Sequence, residues 1–237
     1  MNAVILQPSY IPWRGYFDQI RRADLFIFYD DIQYDKRGWR NRNQIKTPRG
    51  RQWLTIPVHS RGSQTENIPI NQIRIVWDSL WNQDHLKTLR QSYAKAPHFD
   101  QYLPLLEKFY QRHDEFLADF TIDLTIAIAL ELGNKYTRFM RSSELSGIGG
   151  HKTERLVQIL RSVGATHYIS GPSAGDYIEQ EKFDEAGITL EYINYNYPEY
   201  SQLYPPFDPY VTILDLLFMA GKDAANNFDQ GQHVQNS

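Results

Sequence analysis

The chain has 237 residues, with 25 Lys or Arg against 28 Asp or Glu, a net charge of −3 and no cysteine. This length allows one large domain or two small ones, and the absence of cysteine excludes disulfides, zinc–thiolate sites and cysteine nucleophiles. The N-terminus carries no signal-peptide pattern, and no apolar run reaches the roughly 20 residues of a membrane helix. We therefore expect a cytoplasmic protein without a membrane span.

The first thirty residues predict a strand–loop–helix–strand unit. Val4-Ile5-Leu6 is an apolar run typical of a buried parallel strand. Residues 7–16 contain two prolines and a glycine and are expected to form a loop. A helix is predicted at residues 17–23 and a second strand at 25–29, which ends in Asp30-Asp31. Because ligands bind beyond the carboxyl ends of parallel strands, the loop and the two aspartates are expected to face one crevice.

The next segment is basic, since residues 36–51 contain seven Lys or Arg and no Asp or Glu. A solvated loop face is one interpretation. The other is a site for phosphate or diphosphate, because the guanidinium of Arg suits bidentate contact with such anions. The candidate ligand-binding residues here are Arg40, Arg42, Asn43 and Lys46. A long nucleic acid is not expected, because the rest of the chain is acidic.

Helices are predicted in the middle of the chain, and strands and helices alternate in its last third. Capping patterns and helical spacing over residues 78–133 indicate three helices. Further elements are expected as strands at 73–75, 136–140, 167–169 and 188–193, and as helices at 154–163 and 211–219.

The fold class predicted from this alternation is α/β, with a mostly parallel sheet in three layers and a helical middle segment. Both a Rossmann-like architecture and its HUP or nucleotidylyltransferase-like version fit the pattern. Residues 1–225 are predicted to form a single domain with a helical insertion at about 78–133. Residues 226–237 are predicted to form a disordered polar tail.

Residues 146–153 are rich in glycine and end in Lys152-Thr153, which invites comparison with a phosphate-binding P-loop. The P-loop pattern G-x-x-x-x-G-K-[ST] requires two glycines where this chain has Ser146 and His151. The segment is therefore not predicted to be a P-loop. An ordinary loop and a helix N-terminus that accepts an anion are the remaining interpretations.

The candidate catalytic residues are Asp30, Asp31 and Gln7. A carboxylate at the end of a strand could hold Mg²⁺ or act as a base, although one of the two aspartates must point away from the crevice. The alternative is that they cap the loop. Gln7 either binds ligand or satisfies the loop backbone. No serine-hydrolase, zinc-protease or dinucleotide-binding motif is present, and no pair of histidines has metal-ligand spacing.

Further candidates are expected to form the walls of the crevice. The loop after the first strand supplies three aromatic side chains suited to a sugar or a flat heterocycle. These are Tyr10, Trp13 and Tyr16. Ser170 and Gly171 end another predicted parallel strand and so lie at the same edge of the sheet. Tyr177, in the helix that follows, is expected to reach the same crevice.

Several segments together resemble the WbqC-like proteins, in one order and over about residues 3–220. They include Q-P-S-Y-I-P-W-R-G-Y-F, D-D-I-Q-Y, N-R-N-Q-I-K-T-P-R-G, Q-W-L-T-I-P-V, Y-A-K-A-P-H-F, T-E-R-L, Y-I-S-G-P-S-A-G-D-Y, F-x-x-A-G-I and P-P-F. Many relatives have His or Met before the Gln-Pro pair, where this chain has Leu6, so no role of a histidine there applies. The resemblance implies bacterial cell-surface polysaccharide or O-antigen biosynthesis, without an agreed reaction or catalytic residue.

The first turn is also similar to the nucleotide-binding turn of HIGH-type nucleotidylyltransferases. Those enzymes use histidines in that turn to stabilise phosphates, and residues 7–16 contain none. We therefore expect residues 7–16 to share the shape of that turn, but we do not expect the histidine-based mechanism of those enzymes.

The preferred functional hypothesis is a group transferase that acts on a nucleotide-activated sugar or on its acyl or amino substituent. Nucleotidyl transfer or ligation is the alternative reaction, and a non-catalytic binding or assembly protein of the same pathway is the alternative class. The expected partner is an anionic small molecule, either a nucleotide sugar or an acyl-CoA. Mg²⁺ and coenzyme A are the candidate cofactors, and no oligomeric state is predicted.

Overall fold

The computed structural model describes residues 1–176 and 178–228 of the chain. In this part of the chain the strands are β1 (Asn2–Leu6), β2 (Leu25–Phe28), β3 (Arg42–Thr47), β4 (Gly50–Thr55), β5 (Arg138–Arg141), β6 (His167–Ser170) and β7 (Thr189–Tyr192). The α-helices are α1 (Arg14–Arg22), α2 (Trp81–Tyr93), α3 (Phe99–Tyr110), α4 (Leu117–Glu131), α5 (Lys152–Ser162), α6 (Gln180–Ala186) and α7 (Ile213–Ala220).

The central sheet has the strand order β5-β2-β1-β6-β7, and each neighbouring pair in it is parallel. The chain starts at β1 in the middle, passes to β2 and β5 on one side, and then crosses to β6 and β7 on the other. A reversal of this kind beside a central strand is the switch point where open α/β sheets bind ligands. The predicted α/β class with a mostly parallel sheet is confirmed.

Helices cover both faces of this sheet, because alternate strand side chains enter two apolar cores. On one face, Val4, Phe26 and Phe28 pack with residues of α1, α4 and α7. On the other face, Ile5 and Ile27 pack with residues of α5 and α6. Burial on both faces explains why β1 and β2 are continuous apolar runs rather than alternating ones.

Between β2 and β5 the chain forms the β3–β4 hairpin and the helices α2, α3 and α4. The antiparallel hairpin pairs Arg42 with Thr55 and Thr47 with Gly50. Gly50 follows the turn with φ +97°, a conformation that glycine adopts without steric cost. Much of the basic segment 36–51 is therefore part of an ordered hairpin.

The segment at residues 73–75 does not form the strand predicted for it. It leaves the 3-10 helix Ile70–Gln72 directly and meets single residues of two different segments. Isolated bridges join Val58 to Ile75 and Arg74 to Phe116. Because the two bridges lead to different segments of the chain, neither extends into a ladder.

The C-terminal end of the described chain packs on the domain. The 3-10 helix Gly221–Asn227 follows α7, and the side chain of Phe228 is 3% exposed within the larger core. From residue 229 onwards, the predicted polar tail lies outside the described residues. Among the described residues, every helix is too short or too polar to span a bilayer.

Candidate functional site

A cavity of about 700 Å³ opens at the carboxyl end of β1. Its walls come from the β1–α1 loop, from Tyr29 after β2, from residues around the start of β3 and from the first residue of α5. This position is the one expected for a ligand site in a parallel sheet. The volume falls in the range of roughly 300–1,000 Å³ that is usual for small-molecule sites.

The cavity brings together two segments that the sequence singles out, the loop after β1 and the basic segment. The residues from the sequence-based set that line it are Gln7, Trp13, Tyr16, Arg40 and Asn43. Asp30, Asp31, Tyr10, Arg42, Lys46, Ser170 and Gly171 do not line it. Tyr177 lies outside the described residues.

The β1–α1 loop has a strained backbone that the hairpin holds in place. Ile11 has φ +41°, a left-handed conformation that β-branched residues rarely adopt. The amide Nδ2 of Asn43 donates to the carbonyl of Ile11 at 2.8 Å and to that of Tyr10 at 3.3 Å. The N–H of Tyr10 donates to the carbonyl of Trp39 at 3.0 Å. Strain that surrounding contacts maintain in this way is typical of functional sites.

Gln7 presents an unpaired side-chain amide to this cavity. Its backbone carbonyl accepts a hydrogen bond from the hydroxyl of Tyr16 at 3.1 Å, while its side chain has no hydrogen bond to any described residue. Burial raises the pKa of Tyr16, so its phenol stays neutral and keeps donating. The Gln7 amide is therefore available to donate to, and accept from, a ligand.

The charge of the cavity lining is positive, from Arg40 and Lys152, and no described Asp or Glu lines it. Arg40 Nη1 donates to the carbonyl of Pro8 at 3.3 Å, whereas its buried Nε has no hydrogen-bond partner among the described residues. Burial lowers the pKa of Arg40 to about 10, which leaves it charged at neutral pH. Neither cation pairs with a carboxylate of the described residues. Asp35 attracts Arg40 only at longer range and does not line the cavity, so the lining keeps a positive charge that favours an anionic ligand.

Sequence reasoning misses several polar and aromatic residues of the cavity. They are Ser9, Tyr29, Trp39, Lys152, Tyr168 and Tyr210. A signal was present for Lys152, which ends the glycine-rich segment 146–153. It is the first residue of α5 and has φ +49°, a second left-handed backbone at the cavity. The segment therefore delivers a cation to the site although it lacks the glycines of a P-loop.

Asp30 and Asp31 lie at the end of β2, but other protein groups already bind their carboxylates. Asp30 is fully buried, and the N–H and hydroxyl of Ser143 donate to it at 3.0 and 2.8 Å. Asp31 lies 2.6 Å from the hydroxyl of Ser142 and 2.6 Å from Nη2 of Arg155. Burial raises the pKa of Asp30. Each oxygen has a partner, so the geometry supplies no free base or Mg²⁺ ligand here.

Tyr10 points into the core and not into the cavity. Its side chain is 0% exposed, and its hydroxyl lies 2.8 Å from Nδ1 of His85 and contacts the hydroxyl of Tyr110. The left-handed backbone at Ile11 turns the chain between Tyr10 and Trp13. The side chain of Trp13 lines the cavity, whereas that of Tyr10 does not.

Arg42 and Lys46 lie on the opposite face of β3 from Asn43, because strand side chains alternate. The guanidinium of Arg42 stacks 4.5 Å from the ring of Trp53. Lys46 is 5% exposed, and its Nζ donates to Oε1 of Gln202 at 2.5 Å. The structure therefore places both cations outside the cavity.

Ser170 and Gly171, at the end of β6, are covered by other side chains. Ser170 is 3% exposed, with its Oγ 3.5 Å from the hydroxyl of Tyr168. Tyr195 and Gln19 lie over Gly171, joined by a hydrogen bond of 2.5 Å. Among the described residues, no group of three His, Asp or Glu side chains could hold a metal ion.

Comparison with known proteins places this chain in a family. The model of the WbqC-like protein family matches residues 7–227. A protein of Mycobacterium tuberculosis (strain ATCC 25618 / H37Rv), "Uncharacterized protein Rv1507c", is 41% identical over 226 residues, which cover 94% of this chain and 95% of that protein. No solved structure matches. The resemblance seen in the sequence is confirmed, and the chain belongs to the WbqC-like protein family.

Proposed function

We propose that this protein is a group transferase of bacterial cell-surface polysaccharide biosynthesis, which acts on a nucleotide-activated sugar or on its acyl or amino substituent. The observation that carries the proposal is the charge of the cavity, where Arg40 and Lys152 form no ion pair with a described carboxylate and no described carboxylate lines the walls. Aromatic rings make up much of the remaining wall. This combination suits a ligand with a diphosphate and a bulky neutral part.

The architecture supports a Rossmann-like assignment in three layers. The strand order is that of the doubly wound sheets that bind nucleotides at the switch point, and helices cover both faces. A HUP or nucleotidylyltransferase-like mechanism has less support, because the β1–α1 loop has no histidine to stabilise phosphates.

The roles available to the cavity residues are binding and orientation. Arg40 and Lys152 would neutralise the phosphates of the donor and the charge that develops on the diphosphate as it leaves. Gln7 would orient the transferred group through its unpaired amide. A carboxamide is neither a base nor an acid of useful strength near neutral pH, so we propose a positioning role for Gln7 and not a role as base. Asp30 and Asp31 have structural partners, and we assign no proton transfer to them.

The test is ligand-dependent thermal stability with UDP-glucose, acetyl-CoA and ATP with Mg²⁺. A ligand at about 100 times its Kd stabilises the folded state by about 2.7 kcal/mol, which corresponds to a Tm increase of about 5–10 °C for a chain of this size. We expect at least one of these ligands to raise the Tm, and Arg40→Ala and Lys152→Ala to reduce that increase.

The matched control is Arg49→Ala, which removes the same charge from the same basic segment at an exposed position outside the cavity. It should keep the full Tm increase. The proposal fails if none of the three ligands shifts the Tm of the wild-type chain, or if Arg49→Ala reduces the increase as much as Arg40→Ala.

A further inference from the structure

Exposed aromatic rings form a surface beside the cavity, which we call the tryptophan surface and define as Trp39, Trp53, Tyr210 and Arg42. Trp39 is 47% exposed, Trp53 is 41% exposed and Tyr210 is 67% exposed. The rings of Trp39 and Trp53 lie 5.3 Å apart, inclined by 31°. Large apolar side chains usually avoid water, so exposed rings grouped together point to a binding role.

The tryptophan surface is continuous with the cavity. Trp39 and Tyr210 belong to both, as they line the cavity and are also exposed. Trp39 also directly precedes Arg40, the partly buried cation of the site. Because Trp39 and Arg40 both line the cavity, a ligand whose anionic group binds Arg40 can place its next group against Trp39.

The charge of this surface is positive as well. The guanidinium of Arg42 lies 4.5 Å from the centre of the Trp53 ring and donates to the carbonyl of Arg37 at 2.6 Å, without a carboxylate partner among the described residues. Flat rings and a stacked guanidinium bind nucleobases well, because every base presents a π face.

The cavity offers more hydrogen-bonding groups to a neutral ligand than the tryptophan surface does. Gln7 and Ser9 offer an amide and a hydroxyl there, which are the groups that bind sugar hydroxyls. The tryptophan surface offers ring faces and few hydrogen-bonding groups. A nucleobase therefore fits the outside, and a sugar fits the inside.

We propose that the ligand is a nucleoside diphosphate derivative bound in one orientation, with its base stacked on the tryptophan surface. Its diphosphate lies between Arg40 and Lys152, and the group to be transferred lies in the cavity beside Gln7. This inference rests on the proposed function and adds to it the nucleoside as the recognised class and the place of the base.

The test compares ligands with and without a base, namely UDP, ADP and inorganic pyrophosphate, by titration calorimetry. UDP and ADP should bind about tenfold more tightly than pyrophosphate, since stacking of a base on an aromatic ring contributes an affinity gain of that size or more. Trp39→Ala should remove this difference and leave pyrophosphate binding within about twofold. Trp39→Phe should keep most of it. Tyr136→Ala, at a 91% exposed ring outside the cavity, should have no effect.

A second measurement uses the wild-type fold and covers the case in which Trp39→Ala does not fold. The chain has 5 tryptophans, and 5-fluorotryptophan labelling gives each a ¹⁹F signal that single Trp→Phe variants assign. The Trp39 signal should shift with UDP and not with pyrophosphate. Equal affinity for pyrophosphate and UDP, with a Trp39 signal that does not respond to UDP, would overturn the orientation and leave the proposed function standing. Absence of binding by all three ligands would overturn the orientation, and if UDP-glucose, acetyl-CoA and ATP with Mg²⁺ also left the Tm unchanged, the proposed function would fall with it.

Discussion

At the scale of single residues, Gly15 determines where one cavity wall lies. A Cβ atom at this position would come within 2.8 Å of three atoms of the Trp13 ring. That ring lines the cavity and packs edge-on against Tyr195, with the ring centres 4.9 Å apart. The missing side chain of Gly15 therefore lets Trp13 lie flat along the start of α1.

We predict that Gly15→Ala weakens ligand binding and does not stabilise the protein. Alanine inside a helix normally gains about 0.5–1 kcal/mol over glycine, but here the clash with Trp13 should cost about 1–3 kcal/mol. Urea denaturation measures the stability, and the UDP titration measures the binding.

The control for Gly15→Ala is the double variant with Trp13→Leu, in which the clashing ring is gone. The alanine should then be neutral or stabilising, so the two substitutions should couple by more than about 0.5 kcal/mol. Additive effects would show that the ring of Trp13 does not depend on Gly15.

Several cavity residues that could be predicted from the sequence lie close to one another in the chain, and two that could not be predicted lie far from them. Gln7 and Trp13 follow a predicted strand, so the rule about carboxyl ends of strands is sufficient to find them. Lys152 and Tyr210 reach the same cavity from elements far along the chain, and although the glycine-rich segment singles out Lys152, no local pattern shows that either residue joins the β1–α1 loop. Asp30 lies at the predicted edge, but its hydrogen bonds to Ser143 are formed by tertiary structure.

At the scale of elements, the pair of Asp31 and Arg155 joins the end of β2 to the start of α5. Arg155 Nη2 lies 2.6 Å from Asp31 Oδ2, and Arg155 Nη1 donates to the carbonyl of Ile148 at 3.0 Å. The two side chains are 17% and 23% exposed, so water screens the pair only partly. Through Ile148 this pair holds the glycine-rich loop that presents Lys152, which makes Asp31 a positioning residue.

We predict that Asp31→Asn lowers the free energy of unfolding by about 1–2 kcal/mol, because it leaves a partly buried guanidinium without its counter-charge. The amide of Gly149, which donates to Gln158 at 2.8 Å, should exchange with solvent faster, while the amides of the β3–β4 hairpin should not change. Hydrogen exchange followed by NMR measures both.

The matched control is Glu115→Gln, since Glu115 pairs with Arg74 at 2.5 Å and these side chains are 56% and 60% exposed. Exposed pairs contribute little, so this change should stay within about 0.5 kcal/mol. Equal losses in the two variants, with unchanged exchange at Gly149, would remove the positioning role of Asp31.

The individual elements are easier to predict from sequence than their arrangement. β1 and β2 are found because buried parallel strands are continuous apolar runs. The order of the strands depends on whether the chain, after β5, returns through α5 to the other side of β1. The residues of α5 do not specify this path. The end of β4 is harder to predict. The strand is mostly exposed and ends at Thr55, and no change in the pattern of the sequence marks that end.

At the scale of the whole molecule, His85 links the β1–α1 loop to the helices α2 and α3. It lies on α2, and its Nε2 accepts a hydrogen bond from the N–H of Thr55 at 3.1 Å. Its Nδ1 must therefore carry the proton, which it donates to the hydroxyl oxygen of Tyr10 at 2.8 Å. The hydroxyl of Tyr10 in turn contacts that of Tyr110 on α3. One neutral imidazole thus connects the β1–α1 loop, the hairpin and two helices.

This arrangement predicts that the protein loses stability as the pH falls from about 6.5 to about 4. Burial lowers the pKa of His85 to about 4, whereas an unfolded histidine titrates near 6.5. Between these values the unfolded state binds the additional proton, so unfolding becomes easier on acidification by up to about 3 kcal/mol. Burial raises the pKa of Asp30 and Asp215, and those groups oppose the loss, because the folded state takes up their protons first.

The measurement is urea denaturation of the wild type and of His85→Gln at several pH values from 7.5 to 4. The difference between their free energies of unfolding gives the contribution of His85 at each pH. The variant should be less stable at neutral pH, because glutamine cannot reproduce both hydrogen bonds, yet its stability should fall less on acidification. The control is His167→Gln, which removes a half-buried histidine that lies outside this hydrogen-bond network and pairs with Glu191 at 2.7 Å. Parallel curves for wild type and His85→Gln would mean that the imidazole titrates normally, and the link between the β1–α1 loop and the two helices would then not depend on its neutral form.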